Sequence, residues 1–255
     1  MKNIWIPHVP KNGGTTLIVN LRKYCSANLD KFEFKLLCET DNNTLVTKTL
    51  TELEVSQMMN NTLCKKFRRR KYPFNARSFL EIKNKQTDAI IRLDHHNPLQ
   101  KGMEDWIKIL IIRDPIERYL SHTWHSLILK MEITPLSHLT WINKLRNRRL
   151  IDNRDNLIKE FDNDNVKQIF DYIYDITEFN KVTSLIEKLF LQKKINWIRY
   201  NTAEINFKKI NINKENIIRK KDLSNSQLER IKNKHEVKKD IKFYNEIMRW
   251  KFTNS

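Results

Sequence analysis

Hydrophobic and polar positions in the first part of the chain alternate in a way that predicts a strand, a helix and a second strand. A mostly apolar run at 4–9 is followed by Leu17, Leu21 and Tyr24, whose spacings of four and three are typical of one helix face. Residues 32–38 then alternate before they become continuously apolar, which predicts a half-buried strand. The chain therefore starts with a β–α–β pattern.

Two more apolar segments predict strands further along. Residues 88–93 form a short one, and residues 106–112 form a nearly continuous β-branched run, typical of a strand buried on both faces of a parallel sheet. The second run stops at Asp114 and Pro115, a favoured N-cap and a favoured first helical residue, so a helix is expected to begin there. Residues 39–87, which precede both runs, are expected to be mainly helical or irregular.

The second half of the chain has few helix breakers, with no glycine after Gly102 and no proline after Pro135. We therefore expect it to be helix-rich, with one strand candidate at 195–200. The predicted helices cover 137–148, 155–171, 179–191, 224–238 and 240–249.

Strands that alternate with helices predict an α/β fold. We expect a single P-loop-like three-layer domain over residues 1–255, with a central parallel sheet and a helix-rich C-terminal half. Ligands bind such sheets beyond the carboxyl ends of the strands. Motifs that follow the predicted strands therefore indicate where the chemistry of this protein would take place.

The charge balance is strongly basic, with 48 Lys and Arg residues against 30 Asp and Glu residues and a net charge of +18. Such a field favours anionic partners, among them nucleic acids, acidic polysaccharides, acidic membrane surfaces and nucleotides, without choosing between them. A basic run at 65–71 would serve either as a docking patch for an acidic partner or as a solvated face. Both interpretations stay open.

The cysteines and the apolar runs indicate the cellular environment of the chain. The three cysteines form neither a disulfide framework nor a paired metal motif, so reduced thiols are expected. No apolar run approaches the roughly 18 residues of a membrane span, and the first residues show no secretory signal pattern. We therefore expect a cytoplasmic chain without a membrane span. We also expect no metal, because no carboxylate or Cys/His cluster has ligand spacing.

Two of the three glycines of the chain, Gly13 and Gly14, stand side by side between the first strand and the first helix. Glycine permits positive φ and close backbone approach, so the N–H groups of the helix start, the hydroxyls of Thr15 and Thr16, and the charge of Lys11 could together hold a phosphate or sulfate. The alternative is a simple turn. The triphosphate loop G-x-x-x-x-G-K-[ST] is not matched, because Lys11 precedes the glycines, which argues against an ATPase or GTPase.

A second candidate for anion binding follows the predicted buried strand. Arg113 stands at the strand end and Ser121 about two turns into the predicted helix, so a guanidinium and a hydroxyl could hold one phosphate. The alternative is an Arg113 side chain that only pairs with Asp114 or Glu117 at the surface.

These two stretches resemble the two signatures of one enzyme family. The order Pro-Lys-x-Gly-Gly-Thr-Thr at 10–16 resembles the 5′-phosphosulfate loop of sulfotransferases that use 3′-phosphoadenosine 5′-phosphosulfate (PAPS). It is most similar to that of carbohydrate sulfotransferases related to the Golgi uronyl 2-O-sulfotransferases. The order Arg-Asp-Pro-x-x-Arg-x-x-Ser at 113–121 resembles the second signature of the family.

The resemblance implies a role for each matching residue, with PAPS as co-substrate. Lys11 would be catalytic, hydrogen-bonding the bridging oxygen of the donor, and Arg113 and Ser121 would bind the 3′-phosphate. In relatives a late basic loop closes over the nucleotide; Arg219 and Lys220 stand in the matching stretch, where an exposed basic turn is the alternative. The residues that would grip the 5′-phosphosulfate are Lys11, Asn12, Gly13, Gly14, Thr15 and Thr16.

A base must take the proton of the acceptor hydroxyl, and histidine suits that task near neutral pH. His95 and His96 stand at a predicted strand end, where 2-O-type relatives place a Gly-His-containing catalytic segment. Asp94 stands where the relatives have that glycine, so the family segment can be aligned with this sequence in two ways that differ by one residue. Either histidine is a candidate for the base, with His95 slightly favoured.

The expected function is the transfer of a sulfuryl group from PAPS to a hydroxyl of a carbohydrate or glycoconjugate acceptor. The basic run at 65–71 would suit an anionic acceptor. No nucleic-acid partner is expected, and the oligomeric state is left open. The alternatives are a basic nucleic-acid-binding protein and a P-loop-type small-molecule kinase; the first leaves the glycine turn unexplained and the second requires a differently placed lysine.

Overall fold

The structure is a computed structural model of the 255-residue chain. It describes residues 2–8, 13–39, 45–59, 78–95, 102–121, 123, 163–199 and 219–253. These residues group into two compact units, the first drawn from 1–9, 13–111 and 170–198 and the second from 112–169 and 199–255. The single-domain assignment stays a prediction.

The first unit is built on a seven-stranded sheet with the order β3-β2-β4-β5-β1-β6-β7. The strands are β1 (Ile4–His8), β2 (Phe32–Glu39), β3 (Leu45–Thr49), β4 (Ser78–Asn84), β5 (Ile90–His95), β6 (Ile107–Ile112) and β7 (Tyr172–Asp175). The helices in the described residues are α1 (Gly14–Ser26), α2 (Glu52–Met59), α3 (115–121), α4 (Asn163–Ile169), α5 (Phe179–Ile186, continued by a π-helix over Glu187–Leu191), α6 (Asn225–Lys232) and α7 (His235–Thr253).

The centre of the sheet is parallel and one side of it is antiparallel. Strand β1 pairs in parallel with β5 and with β6, whereas β2 pairs antiparallel with β3 and β4, and β4 pairs antiparallel with β5. The predicted α/β class with a parallel core is therefore confirmed, but the sheet as a whole is mixed. The turn at 85–89 is too short for a crossover helix, so β4 and β5 can only run antiparallel.

The core of the first unit lies on one face of this sheet. Because side chains alternate along a strand, Ile4 and Ile6 of β1 face this core, and both are almost fully buried. Trp5, on the opposite face, is also fully buried and stacks on Phe170 with ring centroids 5.6 Å apart. Burial on both faces is typical of a central parallel strand. The other buried members of this core include Leu17, Leu21, Ile91, Ile109, Ile111, Val182 and Ile186.

The second unit is helical in its described residues, with a smaller apolar core of its own. Ile116, Tyr119 and Leu120 of α3 pack with Ile231 of α6 and Val237 of α7. Positions i, i+3 and i+4 of α3 thus form one apolar face that packs against the two C-terminal helices.

The strand predicted at 195–200 is wrong over 195–199, where the chain forms no strand. Side chains instead satisfy the backbone of this segment. Glu187 accepts hydrogen bonds at 2.8 Å from the Ile195 N–H and from the Trp197 indole, and Asn20 bonds both the N–H and the carbonyl of Ile198. Ile195 and Trp197 pack against the core of the first unit, and the segment does not pair in the sheet.

Other boundaries also differ from expectation. Residues 39–87 include β3 and β4, and residues 170–171, predicted as helix, separate α4 from β7. The helices predicted at 224–238 and 240–249 correspond to α6 and to a longer α7. The non-helical residues 233–234 separate these two helices. The helix predicted at 179–191 is confirmed, while 137–148 lies outside the described residues.

Candidate anion-binding site

The carboxyl ends of β1, β5 and β6 lie at the same edge of the sheet, because the three strands are parallel neighbours with β1 in the middle. His8 at the end of β1 is the register partner of His95 at the end of β5. The sequence predicted His95 as a candidate base. The sheet register, which no local pattern reveals, makes His8 and His95 neighbours on the backbone.

The turn from β1 into α1 has the geometry expected of a glycine pair. Gly13 is the residue before the helix and has φ +86° and ψ −4°, the left-handed region that favours glycine. Its carbonyl accepts the N–H of Thr16 at 2.9 Å, which starts the helix. No side chain caps α1 at this position, and its first turn contains no acidic residue. Main-chain N–H groups and the positive end of the helix dipole at such a start attract an anion.

Gly13 is also required for space. A Cβ atom built on it would stand 2.7 Å from Cδ1 of Ile176 and 3.0 Å from Cε2 of Phe179. These two residues follow β7 and lie far along the sequence, so the local pattern could not reveal them. The main chain of the turn is therefore held against an apolar surface, and a side chain at this position would have to displace the ends of the Ile176 and Phe179 side chains.

The surface behind Gly13 is itself fixed by a capped turn. Asp175 accepts the N–H of Thr177 at 2.9 Å, and Glu178 accepts the N–H of Asp175 at 3.1 Å. Glu178 also accepts a hydrogen bond from Lys181 at 2.8 Å, and this contact raises the pKa of Lys181. The position of the 176–178 turn is thus set by reciprocal hydrogen bonds, which keeps Ile176 in place against Gly13.

The remaining predicted residues of this loop are described only in part. Gly14, Thr15 and Thr16 form the first turn of α1, and Thr16 is buried with 8% of its surface exposed. Lys11 and Asn12 lie outside the described residues. Their assigned contacts with the donor stay predictions.

For the two candidate bases, the structure describes only the backbone of His95. His95 is the last residue of β5, and its side chain is outside the description, as is the whole of His96. Which of them is the base stays open.

The second predicted anion site begins with a well-formed helix start. Asp114 accepts the N–H groups of Ile116 at 2.9 Å and Glu117 at 3.0 Å, and Pro115 is the first helical residue. The predicted N-cap of α3 is therefore confirmed. The other carboxylate oxygen of Asp114 accepts a hydrogen bond from the Lys220 ammonium at 2.6 Å.

Arg113 and Lys220, which the sequence analysis named separately, meet at one carboxylate. Nη2 of Arg113 lies 3.5 Å from Oε2 of Glu117, and Oε1 of Glu117 accepts the backbone N–H of Lys220 at 3.1 Å. Arg219 is exposed beside Lys220, and its backbone N–H donates to Asp222 at 2.8 Å. The turn at 219–222 is thus docked on the start of α3, with the main chain of Lys220 and the Arg113 guanidinium on the two oxygens of Glu117.

Ser121 and Arg118 occupy the rest of the motif. Ser121 is half-buried on α3. Its contact with a phosphate stays a prediction. Arg118 forms an ion pair with the buried Asp240 of α7. The second arginine of the motif therefore fixes the helix that carries Ser121 and directly follows Arg113, a role that sequence spacing alone did not show.

Comparison of the sequence with protein-family models and with curated proteins gives no match. Within the described ranges, no group of three or more His, Cys, Asp or Glu side chains is arranged to hold a metal ion. None of the helices in that part of the chain is long and apolar enough to cross a bilayer.

Proposed function

We propose that this chain is a sulfotransferase that moves a sulfuryl group from PAPS to a hydroxyl of a carbohydrate or glycoconjugate acceptor. The observation that carries the proposal is the β1–α1 turn, where Gly13 in the left-handed conformation leads into a helix start without a side-chain cap. This turn follows the central strand of the parallel core, at the edge where α/β sheets bind ligands. It also coincides with the motif at 10–16 that resembles the family's 5′-phosphosulfate loop.

In the proposed reaction the acceptor oxygen forms a bond to sulfur as the bond between sulfur and the bridging oxygen of the donor breaks. The proton of the acceptor hydroxyl passes to His95 or His96, and 3′,5′-adenosine bisphosphate leaves as an anion. Main-chain N–H groups at Gly13, Gly14 and Thr15 bind the phosphosulfate oxygens. Lys11 offsets the charge on the departing phosphate, as in other displacements governed by positioning and charge.

The 3′-phosphate of the donor is assigned to Arg113 and Ser121, with Lys220 and Arg219 completing its positive surroundings. The contacts of Glu117 support this assignment, since they link the Arg113 guanidinium to the main chain of Lys220, two residues named by the resemblance. The proposal includes a P-loop-like three-layer arrangement, a cytoplasmic location, and an acceptor that does not include nucleic acid.

Ligand-dependent thermal stability tests the proposal and separates it from the alternatives. A ligand that binds only the folded state raises the melting temperature. We expect 3′,5′-adenosine bisphosphate to stabilise the chain, and ATP and oligonucleotides to leave it unchanged. Stabilisation by ATP alone would favour a small-molecule kinase, and stabilisation by oligonucleotide alone would favour a nucleic-acid-binding protein.

Transfer of label from PAPS to a panel of carbohydrate acceptors tests the role of Lys11. We expect Lys11→Ala to abolish transfer, because the charge on the leaving phosphate is then no longer offset. Lys193→Ala, which changes an exposed lysine, is the matched control and should keep full activity. Full transfer by the Lys11 variant would refute the assigned role.

Calorimetric titration with 3′,5′-adenosine bisphosphate tests the second motif. We expect Arg113→Ala to weaken binding about tenfold to a hundredfold, the usual range for a charge-assisted contact. Unchanged affinity would remove Arg113 from the 3′-phosphate site.

A further inference from the structure

Glu117 makes two contacts, one with each of two segments that the sequence separates widely. One oxygen lies 3.5 Å from the Arg113 guanidinium, and the other accepts the backbone N–H of Lys220 at 3.1 Å. The motif that resembles the family signature leaves position 117 unspecified, so the resemblance gives this residue no role.

The two contacts differ in what they can fix. The Arg113–Glu117 pair is partly exposed, with 25% and 31% of the two side chains accessible, and such pairs contribute little to stability. The hydrogen bond from the Lys220 N–H is anchored to the main chain, and a carboxylate acceptor makes it stronger than a neutral one. This hydrogen bond therefore fixes the position of the main chain at Lys220 relative to α3.

The turn at 219–222 has its own internal order. Asp222 accepts the Arg219 N–H at 2.8 Å, and the Asp222 N–H bonds the Arg219 carbonyl at 3.0 Å. The turn is thus preformed, and contacts with α3 decide where it docks. Two such contacts are the hydrogen bond from the Lys220 N–H to Glu117 and the hydrogen bond from the Lys220 ammonium to Asp114.

We infer that Glu117 is a positioning residue of the proposed 3′-phosphate site, which docks the 219–222 turn on α3 through the Lys220 N–H and so holds Lys220 beside Arg113. The inference rests on the proposed function. The decisive group is the side-chain oxygen of Glu117 that accepts the Lys220 N–H, and the negative charge of Glu117 is not required. Glutamine retains a side-chain oxygen at the same distance from the backbone, so it can accept the same N–H without a charge.

Calorimetry on the full chain with two nucleotides tests the inference. Both 3′,5′-adenosine bisphosphate and adenosine 5′-monophosphate are titrated into the native protein, Glu117→Ala and Glu117→Gln. We expect Glu117→Ala to weaken binding of the bisphosphate about tenfold. Binding of the monophosphate, which has no 3′-phosphate, should change less than about twofold, and Glu117→Gln should restore bisphosphate binding to within about threefold of the native protein.

Glu246→Ala provides the matched control, because Glu246 forms a comparable i,i+4 pair with Lys242 on α7. It should bind both nucleotides as the native chain does. Equal bisphosphate affinity in the native protein and Glu117→Ala would overturn the inference while leaving the proposed function in place. Equal weakening toward both nucleotides, or failure of glutamine to restore binding, would overturn it in the same way. A native protein that binds neither nucleotide would overturn the proposed function and this inference together.

Discussion

The two candidate anion sites are formed by different chemical groups. The turn at Gly13 is defined by main-chain conformation and by apolar atoms of Ile176 and Phe179 behind it. The start of α3 is defined by charged side chains, with Arg113 and Lys220 both in contact with carboxylates. The first site would present N–H groups whose positions are fixed before a ligand arrives. The second would present cations whose carboxylate partners an incoming phosphate must replace.

This difference determines what each site is sensitive to. Main-chain geometry tolerates no added atom, since packed interiors respond to a single methyl group. Charged contacts at a partly exposed surface tolerate changes in shape but respond to salt. Mutations and ionic strength should therefore distinguish the two sites.

The largest effect is expected for Gly13→Ala. The variant forces an alanine into the left-handed region, at roughly 1–2 kcal/mol, and adds a methyl group that would overlap Ile176, at about 1–3 kcal/mol more. We expect the free energy of unfolding to fall by about 3 kcal/mol, measured by urea denaturation.

Gly102→Ala is the matched control for this prediction. Gly102 has the same φ of +86°, but no atom of the described residues lies within 4 Å of the position of its Cβ. It should lose only about 1 kcal/mol, the conformational part of the cost. Equal losses in the two variants would show that the apolar surface behind Gly13 does not constrain the turn.

A smaller effect is expected when the best-buried ion pair of α3 is broken. The side chains of Arg118 and Asp240 are only 14% and 11% exposed, so Asp240→Ala leaves an arginine poorly solvated. We expect a loss of about 2 kcal/mol, between the values for exposed and fully buried pairs. Glu229→Ala, which breaks the exposed pair with Lys232, should change stability by less than about 0.5 kcal/mol. A similar small change in Asp240→Ala would mean that apolar packing alone holds α3 to α7.

The smallest effect is expected at the docked turn. Lys220→Ala removes a contact with Asp114 in which 41% and 30% of the side chains are exposed, so it should cost about 0.5–1 kcal/mol at low salt. In 1 M NaCl, where the screening length is about 3 Å, most of this difference should vanish. The loss in Gly13→Ala should be the same at both salt concentrations. A salt-independent loss in Lys220→Ala would contradict the electrostatic account of this region.

Local sequence patterns predicted the parts of the fold that depend on neighbours in the chain. The run at 107–112 is a buried strand, Asp114 caps α3, and Gly13 adopts positive φ. In each case one residue type has a conformational or hydrogen-bonding property that acts within a few positions. Arg113 was a candidate because it ends the predicted buried strand, whereas Lys220 was named only through the family resemblance.

The features that sequence missed depend on contacts between distant residues. Strand β4 was overlooked because its alternation stands beside a basic stretch, and its pairing with β2 and β5 decides its structure. The segment at 195–199 has strand-like composition, but hydrogen bonds from Asn20 and Glu187 replace a sheet partner. The surface behind Gly13 and the docking of Lys220 on Glu117 likewise have no local signal.

The position of β1 in the sheet has a consequence for how the protein is made. Among the strands of this sheet β1 is synthesised first, yet both its neighbours, β5 and β6, are encoded some ninety to a hundred residues later. Until they arrive, a nascent chain carries an apolar segment with two open hydrogen-bonding edges, the kind of template on which chains aggregate. Synthesis that stalls before residue 112 should therefore leave fragments that need a chaperone, and pairing across so long a loop should make folding slow.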